Sequence, residues 1–406
     1  MSTNRTAERV RSFGTSIFAE ISALAVQHGA VNLGQGFPDF AGPAWVKDAA
    51  AEAIAADQNQ YPPYLGIPRL REAIAATWRF HGWREVDPAS EVTVTSGATE
   101  AIFGAVQALI NPGDEVIVFE PFYDAYVPDV VMAGGVPKYV RMHPPQIPTP
   151  DSQPPTPTSW HFDPVELSAA FTPRTRLLLL NTPHNPTGKV FSPAELAQIA
   201  ELCIAHDVVV IADEVYDQLV FGDVRHMPIA TLPGMWERTL TINSTGKTFS
   251  LTGWKIGYAV GPADLTAALR AAHQWITFAT ATPLQVAAAV ALERAAATGY
   301  YDELRAEYDE RRALLAEVLA AAGFPTLPAE GSYFIMADIS NAGFASDADF
   351  CRWLTSEVGV AAIPPSAFYR HPQGVPLLAR FCFAKKLETL RAAAERLESV
   401  RPRGAS

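Results

Sequence analysis

The chain has 406 residues, 49% of them hydrophobic and 18% charged, with a formal net charge of −12 and only three cysteines. Such a length holds two or three domains around large cores, and an acidic balance without a basic block excludes nucleic acid as a partner, since phosphate neutralisation needs clustered Lys and Arg. Cys203, Cys351 and Cys382 are widely spaced in apolar surroundings, which excludes a disulfide framework, a zinc site of CxxC spacing and, with them, the metal-dependent classes built on such sites.

The first residues, MSTNRTAERVRSF, are polar and lack the ~7–15-residue apolar stretch of a signal peptide. No later run approaches the ~20 apolar residues of a membrane span, so the expectation is a cytoplasmic protein without a membrane partner. Short β-branched runs follow in order: EVTVT (91–95), EVIVF (115–119), Leu177–Leu180, VVVIA (208–212), TLTIN (239–243) and GYAVG (257–261). Between them, Thr99–Leu109 and Pro193–His206 carry apolar residues at helical spacing, and Ser192 with Glu195 forms a capping-box pattern. This alternation predicts βαβ units and a buried parallel sheet. Residues 144–158, PPQIPTPDSQPPTPT, hold too many prolines for a helix or central strand and read as an extended surface loop. Beyond about residue 290 the texture changes to an Ala/Glu/Arg-rich helical stretch (287–322), two strand-like pieces, GSYFIMADI and LLARFCFA, and a last helix, which predicts a second, α+β domain.

Three segments sit where a strand run gives way to a loop, the edge of an open α/β sheet at which ligands bind. Ser96-Gly97-Ala98-Thr99 leads into a helix whose first N–H groups could meet an anion, although Ser96 could equally be an ordinary N-cap. VVVIA runs into Asp213, Glu214, Val215 and Tyr216. An acid that closes an apolar strand needs a cationic partner if it is buried; at the surface it would only cap a helix. The Leu177–Leu180 strand ends in NTPHNPTG (181–188), with Asn185 in a turn set by Pro186. The strand through Asn243 ends in STGKTFSLTGWKIGY (244–258), whose Gly246-Lys247-Thr248 is no phosphate-binding P-loop, because Thr241 stands where that motif requires glycine.

Together NTPHNPTG, ADEVY (212–216) and STGKTFSLTGWKIGY resemble the fold-type I, class I aminotransferases that depend on pyridoxal 5'-phosphate (PLP), within the group that includes kynurenine, glutamine–phenylpyruvate, methionine and succinyldiaminopimelate aminotransferases. VNLGQGFPDF (31–40), NQYPPYLG (59–66), EPFYDAY (120–126), GSYF (331–334), AAIPPSAFY (361–369) and RFCF (380–383) extend the resemblance over nearly the whole chain, in the same order. It implies an α/β fold, a mostly parallel central sheet flanked by helices, with a smaller α+β domain: 1–45 as an N-terminal arm and part of the small domain, 46–288 as the large domain, 289–406 as the C-terminal small domain.

The resemblance also implies roles. Lys247 matches the lysine that carries the cofactor as a Schiff base and shuttles the substrate's α-proton. Asp213 matches the acid that keeps the pyridine nitrogen protonated, and Asn185 and Tyr216 match the donors to the ring oxygen. Gly97, Ala98 and Thr99, with Ser244 and Lys255, match the phosphate cup, and Tyr123 the aromatic on the ring face. Tyr61 and Phe278 match residues that cross to the neighbouring subunit, which implies a homodimer with shared sites. Arg380 matches the clamp on the substrate carboxylate, with Gly36 and Asn185 beside it, and Phe18 and the Tyr333–Phe334 pair fall near the side-chain pocket. Two departures stand out: Lys255 replaces the arginine of aspartate aminotransferases, and Ala279 follows Phe278 where animal kynurenine enzymes carry histidine. The implied activity is amine transfer from a neutral or aromatic L-amino acid to a 2-oxo acid. Succinyldiaminopimelate as substrate, or β-lyase chemistry on cysteine conjugates, are the alternatives.

Overall fold

The computed structural model describes residues 5–11, 13–14, 16–145 and 158–400. Residues 146–157, most of the proline-rich segment expected to be a surface loop, lie outside them.

Runs that are apolar on both faces can only be buried between two layers, and the six expected strands assemble into one sheet. Its strands are β1 (Val92–Thr95), β2 (Glu115–Glu120), β3 (Val136–His143), β4 (His161–Phe162), β5 (Thr175–Asn181), β6 (Val209–Asp213), β7 (Thr239–Ser244) and β8 (Gly257–Val260). They lie in the order β1-β8-β7-β6-β5-β2-β3-β4. β7, β6, β5, β2 and β3 run parallel, β8 is antiparallel to both of its neighbours, and the two-residue β4 closes one edge antiparallel to β3. Leu177, Leu178 and Leu180 are 0% exposed, as are Val210, Leu240 and Ile242; each such side chain contributes roughly 1.5–3 kcal/mol by leaving water. β3 has no counterpart among the expected strands. It carries Pro137, Lys138 and Arg141 and is only half-buried, so it lacks the apolar run that marks the central strands.

Helix Gly97–Leu109 packs with Ala263–Ile276 on one face of the sheet, around Ala101, Ala105, Leu265 and Leu269. On the other face, helix Pro193–Ala205 buries Leu196, Ile199 and Cys203. Its capping box forms as the sequence predicts, with Ser192 Oγ accepting from Glu195 N at 3.3 Å and the Glu195 carboxylate accepting from Ser192 N at 2.8 Å.

The helical stretch 287–322 resolves into two helices, Thr282–Thr298 and Tyr300–Ala321, separated by Gly299 at φ 72°, a left-handed conformation that glycine adopts without steric cost. The division expected at residue 288 therefore falls inside the first of these helices, which packs on Ala44–Ala55 and Pro68–Phe80. A small antiparallel pair, Phe334–Asp338 with Leu378–Cys382, joins Tyr300–Ala321 and the last helix, Leu387–Leu397, in a separate core. The N-terminal segment belongs to that core: Val31–Asn32 pairs in parallel with Val360–Ala361, and Ile21, Ala25 and Leu33 are buried within it. Both ends of the chain thus meet beside the carboxyl edge of the large sheet. Among the described residues no helix is long and apolar enough to cross a membrane, and no cluster of His, Cys, Asp and Glu is arranged to hold a metal ion.

Candidate active site

A cavity of about 320 Å³ opens where the carboxyl ends of β5, β6 and β7 face the small core. Asp213 is the last residue of β6, in register with Asn181 at the end of β5 and Ile242 in β7. Its side chain, only 6% exposed, accepts the Tyr126 hydroxyl at 2.6 Å. Burial raises its carboxyl from an ordinary 3.8 to about 6 despite that hydrogen bond. The group can therefore receive a cationic donor, which would remove the cost of holding the charge.

β7 ends at Ser244, whose Oγ accepts from Gly246 N at 3.3 Å and opens the single helical turn Thr245–Thr248. That turn directs Lys247 into the cavity, where Nζ donates to Tyr333 Oη at 2.8 Å. Desolvation lowers the lysine pKa from 10.5 to about 8, against the opposing pull of Asp213. A buried amine of that kind is available as a nucleophile and base near neutrality, unlike a solvated lysine.

Gly97, Ala98 and Thr99 form the first turn of the helix after β1 and line the cavity. Ser96 stands at the N-cap, yet its side chain makes no capping hydrogen bond. The orphan N–H groups of this turn therefore face a ligand site. Lys255, held left-handed at φ 54°, lies beside Gly97: a Cβ added there would meet its Nζ at 3.1 Å. A Cβ on Gly257 would strike the Gly97 carbonyl carbon at 2.4 Å. Small residues at 97 and 257 thus let two backbone segments and an ammonium converge on one spot, a donor set suited to a phosphate. Tyr123, mostly buried with its phenol pushed up to about 12 by desolvation, and Tyr216, 4% exposed, complete this wall.

The opposite wall comes from the two chain ends. Arg380, in Leu378–Cys382, is 1% exposed, and burial lowers its pKa from 12.5 to about 10. Its Nη1 donates to Asn185 Oδ1 at 3.0 Å and its Nη2 to the Gly34 carbonyl at 2.7 Å, while buried Nε has no partner. Phe334 lies against the guanidinium at 4.1 Å and Phe18 at 5.0 Å. Among the described residues this buried cation forms no ion pair, so the site has a place for an anion with a planar, two-oxygen face. Gly36 lies alongside; a Cβ there would come within 2.8 Å of the Phe334 ring.

Fourteen of the residues singled out from the sequence line this one cavity: Phe18, Gly36, Phe334 and Arg380 on one wall, Gly97, Ala98, Thr99, Ser244 and Lys255 at one end, and Tyr123, Asn185, Asp213, Tyr216 and Lys247 between them. Tyr61 and Phe278 do not. They stand together on the surface, rings 5.7 Å apart and edge to face, 87% and 46% exposed. Two residues that the sequence reading left without a role, Tyr126 and Asn181, support the site together with Tyr333. Tyr126 holds Asp213, and Asn181 joins the Asp213 carbonyl (2.8 Å) to the Asn185 N–H (2.7 Å). Tyr333, which the resemblance places near the side-chain pocket, also accepts a hydrogen bond from Lys247. All three lie inside motifs already quoted, but pairing them with partners far along the chain required the fold.

Comparison with known proteins identifies the family and the fold. The aminotransferase class I and II family matches residues 29–397. The solved structure of N-succinyldiaminopimelate aminotransferase from Mycobacterium tuberculosis is 47% identical and superposes with a TM-score of 0.91, covering 98% of this chain and 100% of that one. Methionine aminotransferase of Escherichia coli is 42% identical over 97% of each chain. Kynurenine–oxoglutarate transaminase 3 of Mus musculus is 41% identical over 96% of this chain and 89% of its own. A lysine, an acid and an arginine brought to one cavity by this fold, together with a match along almost the entire chain, establish that the protein belongs to the class I and II aminotransferases, a family of PLP-dependent enzymes.

Proposed function

We propose that this enzyme moves an amino group from a neutral or aromatic L-amino acid, of the glutamine, methionine, phenylalanine or kynurenine type, to a 2-oxo acid, with PLP held along the strand-end wall. The donor set fits that group: free helical N–H groups with Ser244 and Lys255 for its phosphate, buried Asp213 for its ring nitrogen, Asn185 and Tyr216 for its ring oxygen, Tyr123 for its face. When bound, PLP supplies a carbonyl that takes up the amino group and a ring that draws electrons from the substrate's Cα–H bond. The chain's own residues do the rest. Asp213 keeps a proton on the ring nitrogen, because a buried carboxylate is stabilised only by a cation opposite it. Lys247 acts first as nucleophile and then, as a free amine, takes the α-proton. Arg380 binds the α-carboxylate through donors that its protein partners leave free and so turns the Cα–H bond toward Lys247.

One observation supports the neutral donor class. Apart from Lys247, Lys255 and Arg380, the cavity lining among the described residues contains no cation, whereas Phe18, Phe37 and Phe334 contribute apolar surface and Asp124 an acid. A second carboxylate on the donor would be desolvated without a partner, at a cost of several kcal/mol. The similarity to the N-succinyldiaminopimelate enzyme favours a second reading, in which a cation from outside this cavity meets the far end of a longer substrate. A donor panel with 2-oxoglutarate decides between them. Neutral donors should exceed both aspartate and N-succinyldiaminopimelate in kcat/KM; either of those two leading by about tenfold or more would refute the neutral pocket.

The exposed Tyr61–Phe278 pair, with Trp275 84% exposed nearby in sequence, supports a homodimer with shared sites, since apolar surface of this kind marks an interface. Sedimentation equilibrium should give a dimer, and a fully active monomer would contradict it.

A further inference from the structure

The segment Gly34–Phe37 contributes Gln35, Gly36 and Phe37 to the cavity lining, and each of its four carbonyls accepts a hydrogen bond from the C-terminal part of the chain. Arg380 Nη2 reaches Gly34 O at 2.7 Å, Lys385 Nζ reaches Gln35 O at 3.2 Å and Phe37 O at 2.8 Å, and Tyr333 Oη reaches Gly36 O at 2.5 Å. Tyr333 is the member of this set that also touches Lys247. It is fully buried, edge to face with Tyr216 at 4.9 Å and stacked on Tyr308 at 6.4 Å. The ring therefore has no room to swing the hydroxyl elsewhere.

Proton counting fixes the polarity of the contact. A phenol has one proton, and the Gly36 carbonyl can only accept, so that proton points at Gly36 and the phenolic oxygen accepts from Lys247. A neutral amine has two N–H groups and one lone pair. If one N–H is engaged by Tyr333, the direction of the lone pair is restricted and it stays free to take a proton.

Building on the reading of Lys247 as the base, we infer that Tyr333 is a positioning residue: it holds the released Lys247 amine by one N–H, aims its lone pair into the cavity, and ties that amine through Gly36 to the same segment that Arg380 grips. The titratable groups that act on the amine are Asp213 and Cys382, which favour its protonated form, and Lys255 and Arg380, which oppose it. Tyr333 differs from them in acting by direction rather than by field. Tyr333→Phe removes one oxygen and keeps the packing. Tyr308→Phe removes a hydroxyl from the neighbouring ring, which meets Ser250 Oγ at 3.4 Å, and serves as the structural control.

The test has two readouts. In cofactor-free protein, the pH dependence of Lys247 acetylation by acetic anhydride, followed by peptide mass spectrometry, reports the amine's own titration without substrate, so an error in the donor class leaves it untouched. An ammonium donates a stronger hydrogen bond than an amine, so losing the acceptor should move the Lys247 curve to lower pH by about half a unit or more in Tyr333→Phe. In the PLP-loaded enzyme, kcat should fall about tenfold or more while the donor KM changes by less than roughly threefold. Tyr308→Phe should leave both unchanged. A Tyr333→Phe enzyme with a wild-type labelling curve and kcat within about twofold of wild type would overturn the inference, as would Tyr308→Phe reproducing both effects.

Discussion

The two walls of the cavity are built differently. The wall that carries Asp213, Lys247, Asn185 and the turn at 97–99 stands on the carboxyl ends of four strands of one sheet, each functional residue within a few positions of a strand that is buried on both faces. The wall that carries Phe18, Gly36, Tyr333 and Arg380 is assembled from the two ends of the chain, held by hydrogen bonds such as Arg380 to Gly34 that span hundreds of residues. The first wall is rigid because the sheet is, and the fixed chemistry belongs there. The second is a seam between two cores, and under the proposed function it is the wall on which donor preference would change without disturbing the sheet.

Substitutions that separate the walls test this contrast. Lys247→Ala should reduce amine transfer by about a thousandfold or more, since nucleophile and base are lost together; a variant that turns over at the wild-type rate would break the assignment. Asp213→Asn should cost turnover about a hundredfold or more with PLP still bound, and should have the opposite effect on the empty protein. The folded pKa of Asp213 is raised from 3.8 to about 6, so the folded state holds that proton more tightly than the unfolded chain. The penalty is absent below the unfolded value, grows between about pH 4 and 6, and is complete above. At pH 7.5 the cofactor-free Asn variant should therefore be more stable than wild type, by up to about 3 kcal/mol for a shift of some two pH units. Thermal unfolding with and without PLP checks both signs.

On the other wall, Arg380→Ala should lower kcat/KM for every amino and oxo acid by about 2–5 kcal/mol while PLP retention is unchanged. Loss of PLP in that variant would mean that the walls are not separable. The smallest effect concerns Asp124, a partly buried acid within electrostatic reach of Arg380. Asp124→Asn should raise the aspartate-to-phenylalanine ratio of kcat/KM by about threefold or more, because a like charge is removed from the path of a second carboxylate. An unchanged ratio would place the donor's side chain elsewhere.

The same contrast explains what could be read from the sequence. β6 with Asp213 and β7 with Lys247 are contiguous blocks in which an apolar run and a chemical residue adjoin, and strand periodicity places such residues at the sheet edge. Its own sequence shows Arg380 as a charged residue opening an apolar strand, RFCF, and the resemblance alone implied a carboxylate clamp beside Asn185; that Asn185 and Gly34 hold it depends on contacts 195 and 346 residues apart. Tyr333 reads as one aromatic among several in GSYFIMADI, and nothing local distinguishes a core ring from one whose hydroxyl meets Lys247. β3 was missed because its half-buried sequence mixes Pro, Lys and Arg with apolar residues. Tyr61 and Phe278 illustrate another limit: one chain shows their exposure and their mutual ring contact, and nothing more.

Borohydride reduction of the protein incubated with PLP, followed by peptide mass spectrometry, tests the central claim most directly. The account predicts a single stable pyridoxyl adduct, on Lys247, that is absent from Lys247→Ala. An adduct on Lys255 or elsewhere, or none on wild type, would contradict it.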